Sequence, residues 1–572
     1  MGDRLDNGQN APAEENTVNT ANTENTENAA GGVKFSVKKR SITIIAAALA
    51  AAGLIAAITA LILGGGVRGV STIYKAATDK STVIEHMVVG VEGLEGGYRP
   101  QDVALPGDRL VSDAIYEPLV AAGPEGLPVN VLAESVTLSP DGLVYTVRLK
   151  DGVKFHNGQL LTARDVAAST AALIGRGTRF EPYLAGLNGY EEYIGGAPEL
   201  SGVVAEGEAA VVFSFASAKA ENVWALGVGV QRADEIGDYS AVNGTGPYKY
   251  GSYSEARRTL ILEPNGDHRG GAPAGGVSLR DMTLSEAVGL YKAGEINAFQ
   301  FNYDEKLLSE AAAIPDINIY QGDGGGYLYL GINCARFDVP LRRALAYALD
   351  REAFAAEVFG GGAAAAALPL PEAAFAADGL SKLARYKHSE RAALREFKAA
   401  GYEKNAAGKM ASADGTLLTL TITALDTELA RRELNAIAAQ LDEYGVQVSQ
   451  DLIPYKDYRA QIYRDGDYDL YMSTWQGGAY VDMSRFARGS GMNIENWENE
   501  TAYAALEEIA AAISYEAAAE HYAELLGQYG GDVPQIPLAT TKRFLAAHHS
   551  IKGLSYSQYS TVFGNLSGVK IG

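Results

Sequence analysis

The segment from Trp475 to Asp482 carries side chains well suited to holding a small molecule. The rings of Trp475 and Tyr480 offer broad, rigid contact area, and the carboxylate of Asp482 can pair with a cationic group. Between them, Gly477 and Gly478 would let the main chain approach a ligand closely. The segment therefore predicts a binding site. The structural alternatives are a buried core indole, a plain turn and an aspartate that caps the next turn.

Arg485 lies three residues after Asp482 and extends this prediction. The two side chains could form a carboxylate–guanidinium pair, or they could anchor a ligand headgroup of different chemistry. We therefore expect this stretch of chain to influence ligand specificity.

Motifs for catalysis and metal binding are missing from the sequence. It has no H-E-x-x-H, G-x-S-x-G or Walker A motif, so we expect no catalytic residue, no nucleotide hydrolysis and no cofactor. Adjacent His548 and His549 would point to opposite faces of a strand, so no metal site is expected. The G-x-G-x-x-G match at 64–69 follows an apolar run, which argues against a dinucleotide site. A hydrolase with two paired carboxylates remains open, because such acids need not be close in sequence.

The composition indicates a large, acidic, globular protein. The chain has 572 residues, of which 47% are hydrophobic, so it can build sizeable cores. Its net charge of −22 argues against nucleic acid or an anionic membrane surface as a partner. Cys334 is the single cysteine, which excludes an intramolecular disulfide, and its apolar neighbours predict a buried, unreactive thiol.

The first 82 residues predict three segments before the globular body. Residues 1–40 are rich in Asn, Thr, Glu and Ala and predict a disordered tail. Residues 41–64 form an apolar run that can span about 30 Å of hydrocarbon. The cluster Lys38-Lys39-Arg40 before it predicts a cytoplasmic tail and a single-pass anchor, with a cleaved signal as the alternative. Residues 65–82 predict a flexible linker.

From Val83 onwards the patterns are mixed α/β. Val144–Leu149 alternates as a strand, and Lys150-Asp151-Gly152 predicts a turn before a second short strand. Thr162 and Asp165 predict a capping box at the start of a helix. The other expected elements are a helix beginning at Asp338, a strand over 468–474 and a helix over 504–518.

Several segments resemble motifs of one protein family and follow the order of that family. They are Tyr116–Leu119, Leu132–Ser135, Leu143–Val166, Asn243–Tyr248, Lys292–Ile296, Arg342–Arg351, Ala399–Tyr402, Tyr468–Tyr471 with Trp475, and Pro534–Leu538. Each motif is short, but their common order over most of the body is specific. The sequence resembles the extracytoplasmic solute-binding proteins of family 5, which serve ABC importers of peptides, nickel and opines.

The resemblance implies an α/β, periplasmic-binding-protein-like fold of the large, three-subdomain type. Two lobes would enclose the ligand, behind an N-terminal transmembrane helix. The N-lobe with an inserted subdomain would occupy 83–326, the C-lobe 327–538, and a return segment to the N-lobe 539–572.

The same resemblance implies ligand-binding roles for a further set of residues: Tyr98, Arg99, Tyr327, Tyr329 and Asn333. Because Tyr327 and Tyr329 are two residues apart on a strand, packing into a core from one face is the alternative. In oligopeptide-binding members, an Asp three residues after a Trp pairs with the ligand's amino terminus. Here the third residue after Trp475 is Gly478, which leaves a peptide with a free amino terminus in question.

The predicted function is the substrate-binding component of an ABC importer. It would capture a small solute, in the first place short peptides, and deliver it to permease subunits that work with separate ATPases. We expect the body to lie outside the cell membrane of a Gram-positive bacterium. A membrane-tethered ligand sensor and, behind it, a surface hydrolase are the alternatives.

Overall fold

The computed structural model describes residues 71–74, 84, 86–123, 126–273, 275–370, 386–476, 483–554 and 569–571. The predicted tail at 1–40 and the predicted membrane span at 41–64 lie outside these residues. Within the described ranges, no helix has both the length and the apolar character needed to cross a bilayer.

The secondary structure alternates between strands and helices along the chain. The strands are β1 Ser71–Tyr74, β2 Met87–Val91, β3 Val120–Ala122, β4 Pro128–Asn130, β5 Ala133–Leu138, β6 Val144–Leu149, β7 Val203–Glu206, β8 Ala210–Ser214, β9 Tyr248–Ser254, β10 Thr259–Pro264, β11 Val277–Asp281, β12 Ala298–Asn302, β13 Ile317–Ile332, β14 Ala363–Ala365, β15 Tyr402–Lys404, β16 Met410–Ser412, β17 Thr419–Leu425, β18 Gln447–Ile453, β19 Leu470–Gln476, β20 Gln535–His548, β21 Ile551–Lys552 and β22 Lys570–Ile571. The helices are α1 Pro106–Ile115, α2 Ala163–Leu173, α3 Glu181–Leu184, α4 Tyr190–Ile194, α5 Ala287–Lys292, α6 Glu305–Ala312, α7 Val339–Ala348, α8 Arg351–Phe359, α9 Glu390–Ala399, α10 Glu428–Glu443, α11 Tyr455–Arg459, α12 Glu500–Ala511 and α13 Tyr515–Asp532. Short 3₁₀ helices occur at Ala220–Gly227, Glu255–Arg257, Leu284–Glu286 and Ser484–Phe486, and a π-helical turn at Ala460–Asp465.

Most of these strands join one large mixed sheet. Over the described ranges its order is β18-β17-β19-β13-β20-β12-β2-β11-β10-β9, with β1 beside β13 and β14 beside β20. One parallel group, β17, β18 and β19, lies on one side, and a second, β2, β11 and β12, lies on the other. The antiparallel pair β13 and β20 joins the two groups.

The ladder between β13 and β20 extends through both halves of the sheet. It pairs Ile317 with His548 at one end and Gly331 with Gln535 at the other. The register is interrupted between Asp323 and Tyr327, where three glycines intervene and one of them, Gly325, has a φ of +76°. Glycine fits this left-handed conformation because it has no Cβ to clash. We call this interruption the crossing, and the halves on either side of it the N-lobe and the C-lobe.

The two faces of the sheet bury different cores. On the back face, α5 and α6 cover the N-lobe strands, and α7, α8, α9 and α10 cover the C-lobe strands. On the front face, α1 packs on the N-lobe, and α11, α12 and α13 lie on the C-lobe side. Alternation along β13 sends Leu328 and Leu330 to the back, and Tyr327 and Tyr329 to the front.

A smaller sheet of order β5-β6-β8-β7 forms a separate subdomain within the N-lobe part of the chain. With α2 and the 3₁₀ helix at Ala220–Gly227 it encloses a core of its own. We call this region the insert. It leaves the N-lobe after α1 and returns to it before β9.

A buried carboxylate, Glu117, lies where the insert joins the N-lobe. It accepts hydrogen bonds from both Arg269 Nη atoms, at 2.5 and 2.8 Å, and from Thr245 Oγ1 at 3.0 Å. His268 Nε2 lies 3.1 Å from Oε1 of the Glu117 carboxylate. Burial alone would raise the pKa of the Glu117 carboxyl, but the hydrogen bonds and charges of His268 and Arg269 outweigh burial and hold this pKa below its ordinary value. The motif that contains Glu117 is thus part of a structural joint.

His156 occupies the same joint from the insert side. Its Nε2–H donates to the carbonyl of Gly246 at 3.0 Å, and its Nδ1 lies 3.3 Å from the backbone N–H of Gly244. Burial lowers the pKa of His156 to about 4, so the imidazole is neutral at physiological pH. His156 is therefore a structural hydrogen-bonding residue.

Most local predictions agree with these elements. β6 has the predicted bounds, the Thr162 backbone N–H donates to Asp165 Oδ2 at 2.9 Å, and Asp338 caps α7 through Leu341 N–H at 3.0 Å. The strand expected over 468–474 is β19, two residues later.

Three local predictions were wrong. The helix expected over 504–518 is two helices, because the chain leaves the helical conformation after Ala511 and Ser514 caps α13 by accepting from Ala517 N–H. The second short strand after the turn at 150–152 is a single bridge between Lys154 and Leu160. Within the predicted linker at 65–82, β1 pairs with β13, in keeping with its β-branched and aromatic residues.

Acid should weaken the joint between the insert and the N-lobe through His156. The folded pKa of about 4 is below the ordinary value near 6.5, so the unfolded chain takes up the proton first as the pH falls. Between pH 7.5 and pH 5, the wild type should lose about 2 kcal/mol more unfolding free energy than His156→Gln. Urea unfolding of both proteins at the two pH values tests this, and equal losses would contradict it.

Candidate functional site

The strand directions point to one region of the molecule. In the N-lobe, β12 runs towards the crossing. Ala298 at its start pairs with Ala547, whereas Asn302 at its end pairs with Arg543, which lies closer to the crossing. In the C-lobe, Gln476 at the end of β19 pairs with Gly326 at the crossing itself. Both parallel groups therefore direct their carboxyl ends at the crossing. Ligands of open α/β sheets bind outside such strand ends, so this is the candidate site.

Trp475 and Tyr327 form the aromatic part of the site. They are opposite each other in the β13–β19 ladder, with ring centroids 5.6 Å apart. Tyr327 is fully buried, at 0% exposure, whereas the Trp475 side chain is partly exposed. Tyr329 is also buried, and its ring centroid lies 5.6 Å from that of Tyr327. In this structure Trp475 presents the accessible surface and the two tyrosines support it from the core.

A half-buried cation, Arg485, lies behind these rings. Arg485 donates through Nη2 to Tyr327 Oη and to Gln535 Oε1, each at 3.1 Å. Its guanidinium carbon lies 5.7 Å from the ring centroid of Tyr329 and 4.7 Å from that of Phe486. Arg485 Nε is buried without a hydrogen-bond partner. Such a charge needs a compensating group nearby.

Glu495 supplies that compensation through an intermediate amide. Its carboxylate has 0% exposure and accepts hydrogen bonds from Tyr471 Oη at 2.6 Å and from Gln535 Nε2. Gln535 therefore connects Glu495 to Arg485, and it also accepts from Tyr529 Oη at 3.0 Å. The result is an internally balanced network beneath the aromatic pair.

The network keeps its members in defined charge states. Burial alone would lower the pKa of Arg485, but the neighbouring tyrosines and Glu495 outweigh burial and raise it, so the guanidinium stays charged. Burial raises the pKa of Tyr327 and of Tyr471, so both stay neutral phenols. Burial also raises the pKa of the Cys334 thiol to about 12, which makes it a poor nucleophile.

The N-lobe contributes the segment that follows β2. Asp108, in the first turn of α1, accepts hydrogen bonds from the backbone N–H groups of Glu95, Gly96 and Gly97 at 2.9 to 3.1 Å. Asp281 accepts from Gly93 N–H at 3.1 Å. These carboxylates hold the segment in place at the carboxyl end of β2.

Tyr98 and Arg99 continue this segment and are both buried. Arg99 donates through Nε to Asp102 at 2.6 Å and through Nη1 to the carbonyl of Ile236 at 3.2 Å. Its guanidinium carbon lies 4.1 Å from the ring centroid of the exposed Tyr239. Arg99, Asp102 and Tyr239, but not Tyr98, line a cavity of about 300 Å³ between the N-lobe and α2. The acceptors of Arg99 are protein groups on its own lobe.

Asn333 lies away from the other predicted residues. It follows the end of β13 that is farthest from the crossing, and its side chain is 3% exposed. Its Nδ2 donates to the carbonyl of Tyr468 at 3.1 Å, and its Oδ1 accepts from Ala335 N–H at 3.2 Å. The structure therefore does not bring Asn333 to Trp475. Gly477, Gly478, Tyr480 and Asp482 lie outside the described residues.

Sequence reasoning named Arg485 beside Asp482 but missed Glu495 and Gln535. Gln535 lies within the family-like segment Pro534–Leu538 and is distant in sequence from Arg485, whereas Glu495 lies outside these segments and close to Arg485 in sequence. A signal was present for Gln535, since a polar amide within an apolar stretch needs a buried partner. Among the described residues, no group of three or more His, Cys, Asp or Glu side chains could hold a metal ion.

Comparison with known proteins supports the resemblance seen in the motifs. Residues 128–493 match the family model described as bacterial extracellular solute-binding proteins, family 5 Middle. The oligopeptide-binding protein AppA of Bacillus subtilis (strain 168) is 22% identical over 454 residues, which cover 74% of this chain and 80% of AppA. The predicted family is confirmed.

Solved structures show the same fold at low identity. The unliganded open form of the periplasmic murein tripeptide binding protein MppA has a TM-score of 0.71 at 19% identity, and the match covers 88% of this chain and 99% of MppA. The ABC transporter substrate binding protein CtaP from Listeria monocytogenes has a TM-score of 0.68 at 21% identity, covering 86% of this chain and 100% of CtaP. The predicted two-lobed α/β fold is confirmed.

Breaking the buried network on one side should be far more harmful than removing both charges. Glu495→Leu should lower the free energy of unfolding by about 3–5 kcal/mol, because Tyr471 and Gln535 lose their buried acceptor and the half-buried Arg485 loses its compensating charge. Adding Arg485→Met should recover a large part of this loss, since the two residues act as one unit. Urea unfolding of the wild type, both single variants and the double variant measures the coupling.

The matched control is the ion pair between Arg488 and Glu500, two exposed side chains close by in sequence. Solvent screens such a pair, so Arg488→Met, Glu500→Leu and their combination should barely change stability. Strictly additive losses at Arg485 and Glu495 would show that the two charges are not coupled.

Proposed function

Because the chain belongs to the bacterial extracellular solute-binding proteins of family 5, we propose that it captures short peptides outside the cell membrane for an ABC importer. The captured peptide passes to a membrane permease, and separate ATPase subunits supply the energy. The chain binds its ligand and returns it unchanged.

The observation that carries this proposal is the position of Trp475. Its partly exposed indole lies at the carboxyl end of β19, beside the crossing, and is backed by the buried Tyr327. An aromatic ring held in this way offers contact area to many ligands without depending on their side chains. That property suits a binder of peptides, which share a main chain and differ in sequence.

Peptides are favoured over other solutes by the relatives. AppA is an oligopeptide-binding protein by name, and one solved structure of it holds a nonapeptide. MppA is a murein tripeptide binding protein. The proposal extends this ligand class to the present chain, with Trp475 and the segment up to Asp482 as the C-lobe contacts and Tyr98 and Arg99 as candidate N-lobe contacts.

The lobe boundaries are part of the proposal. The N-lobe with its insert spans 83–326, the C-lobe 327–538 and the return segment 539–572. The interruption of β13 at 323–327 supports the first boundary, and the second is supported by residues 540–542 of β20, which lie opposite that interruption. We further propose that residues 41–64 anchor the body at the membrane, with the tail at 1–40 on the cytoplasmic side.

Peptide capture can be tested with a library of tri- to nonapeptides and the full chain in mild detergent. Native mass spectrometry should show retained peptides, and calorimetry should show that Trp475→Ala weakens their binding at least tenfold, because an aromatic anchor is lost. The control is Tyr402→Ala, a partly exposed tyrosine of β15 that packs against the back-face core of the C-lobe, which should bind like the wild type. Retention of no peptide, or equal affinity for wild type and Trp475→Ala, would overturn the proposal.

A further inference from the structure

The lobes touch at a place that is separate from their connecting strands. The indole N–H of Trp224, in the insert, donates a hydrogen bond to the hydroxyl of Tyr515, the first residue of α13 in the C-lobe. The ring centroids lie 6.2 Å apart, with the rings tilted at 61°. Tyr515 is only 5% exposed, and it packs into the core of the insert rather than into the cores of its own lobe.

A second contact lies beside the first. A Cβ atom built on Gly142 of the insert would lie 2.6 Å from Ile513 Cγ2 and 2.9 Å from Ile513 Cβ, in the loop before α13. Both distances are shorter than side chains tolerate, so the backbone of Gly142 and the side chain of Ile513 are in direct contact. Glycine at this position permits the approach of the two lobes.

Helix α13 connects these contacts to the network beneath the candidate site. Near its C-terminal end, Tyr529 donates a hydrogen bond to Gln535 Oε1 at 3.0 Å. Its first residue, Tyr515, meets Trp224 of the insert, and a helix of 18 residues spans about 27 Å. One C-lobe helix therefore contacts the buried network at one end and the insert at the other.

Contacts on the back face are of a different kind. Tyr303, directly after β12, packs with ring centroids 5.5 Å from Phe359 at the end of α8. Arg432 of α10 forms an ion pair with Glu305 of α6 at 2.6 Å. These contacts lie next to the connecting strands and can persist while the lobes pivot. The front contact is remote from that pivot, so a pivoting motion must break it.

We propose that Gly142, Trp224, Ile513 and Tyr515 form a clasp that holds the lobes together across the front of the site and must open for ligand to enter or leave. The ligand-exchange part rests on the proposed function, whereas the clasp itself does not. The free energy of the clasp contacts contributes equally to the binding free energy of every ligand, because no ligand atom takes part in these contacts. The clasp therefore sets affinity without setting specificity.

A pair of engineered cysteines tests the clasp directly. Gly142→Cys with Ile513→Cys should form a disulfide under mild oxidation, because the two Cβ positions are 2.9 Å apart and a local shift of about 1 Å brings them to the Cβ–Cβ separation of a disulfide. The control is Gly152→Cys with Ile513→Cys. Gly152 lies in the insert with a φ of +71°, close to the +72° of Gly142, but a Cβ there would meet no atom within 4 Å. The control carries the same backbone strain and should stay reduced.

Locking the clasp should close the site reversibly. We expect oxidised Gly142→Cys/Ile513→Cys protein to exchange peptides of the tri- to nonapeptide library at least tenfold more slowly than after reduction. Acrylamide quenching of the tryptophan fluorescence should also fall on oxidation, a readout that needs no ligand. Trp224 and Trp497 are buried, so the quenchable indole is that of Trp475. In the unlocked protein, Tyr515→Ala should weaken all retained peptides by one common factor, on the order of tenfold.

The outcomes separate the clasp from peptide capture. Absence of the crosslink, or peptide exchange and Trp475 quenching that oxidation does not change, would overturn the clasp. A crosslink with reduced quenching but no retained peptide would support the clasp and overturn peptide capture. Affinity losses in Tyr515→Ala that differ from peptide to peptide would make Tyr515 a ligand contact and overturn the clasp as a ligand-independent element.

Discussion

Backbone hydrogen bonds between β13 and β20 are the constraint on which the rest of the structure depends. Both parallel groups of strands are laid against this pair in fixed directions, so their carboxyl ends meet at the crossing. The interruption at the crossing also changes which alternate residues of β13 face the back of the sheet. Ile317 and Ile319 point to the back face in the N-lobe, whereas Leu328 and Leu330 do so in the C-lobe. The glycine run thereby delivers Tyr327 to the front, where Trp475 lies.

The parts of the fold that sequence patterns predicted are those decided by neighbouring residues. Alternation defined β6, and the pair of Thr162 and Asp165 defined the start of α2, because strand faces and helix caps are local. Order of motifs, rather than any one of them, identified the family. The break between α12 and α13 was missed because the apolar pattern continues across it, although Ser514 can cap a new helix. Packing of Tyr515 into the core of the insert accompanies the new helix start.

The candidate site was harder to predict than the fold, for a physical reason. Trp475 could be recognised from its own neighbourhood, but the buried network joins residues from β13, β19, β20 and the 483–497 region. Their proximity is a property of the finished sheet. Gln535 accepts a hydrogen bond from Arg485 and donates one to Glu495, so it links the two side chains beneath the aromatic surface without direct contact between them. A hydrogen-bonded network of this kind resists deformation because each side chain holds the next one in position.

The joint around Glu117 and His156 shows what the motifs of this chain describe. Three of the family-like segments meet there through Glu117, His156 and the loop at 243–248, and they fasten the insert to the N-lobe. Another segment supplies Trp475 to the candidate site. The position of Trp224 relative to the N-lobe sheet is therefore set by the joint, so the face that the insert offers to the C-lobe depends on a buried carboxylate.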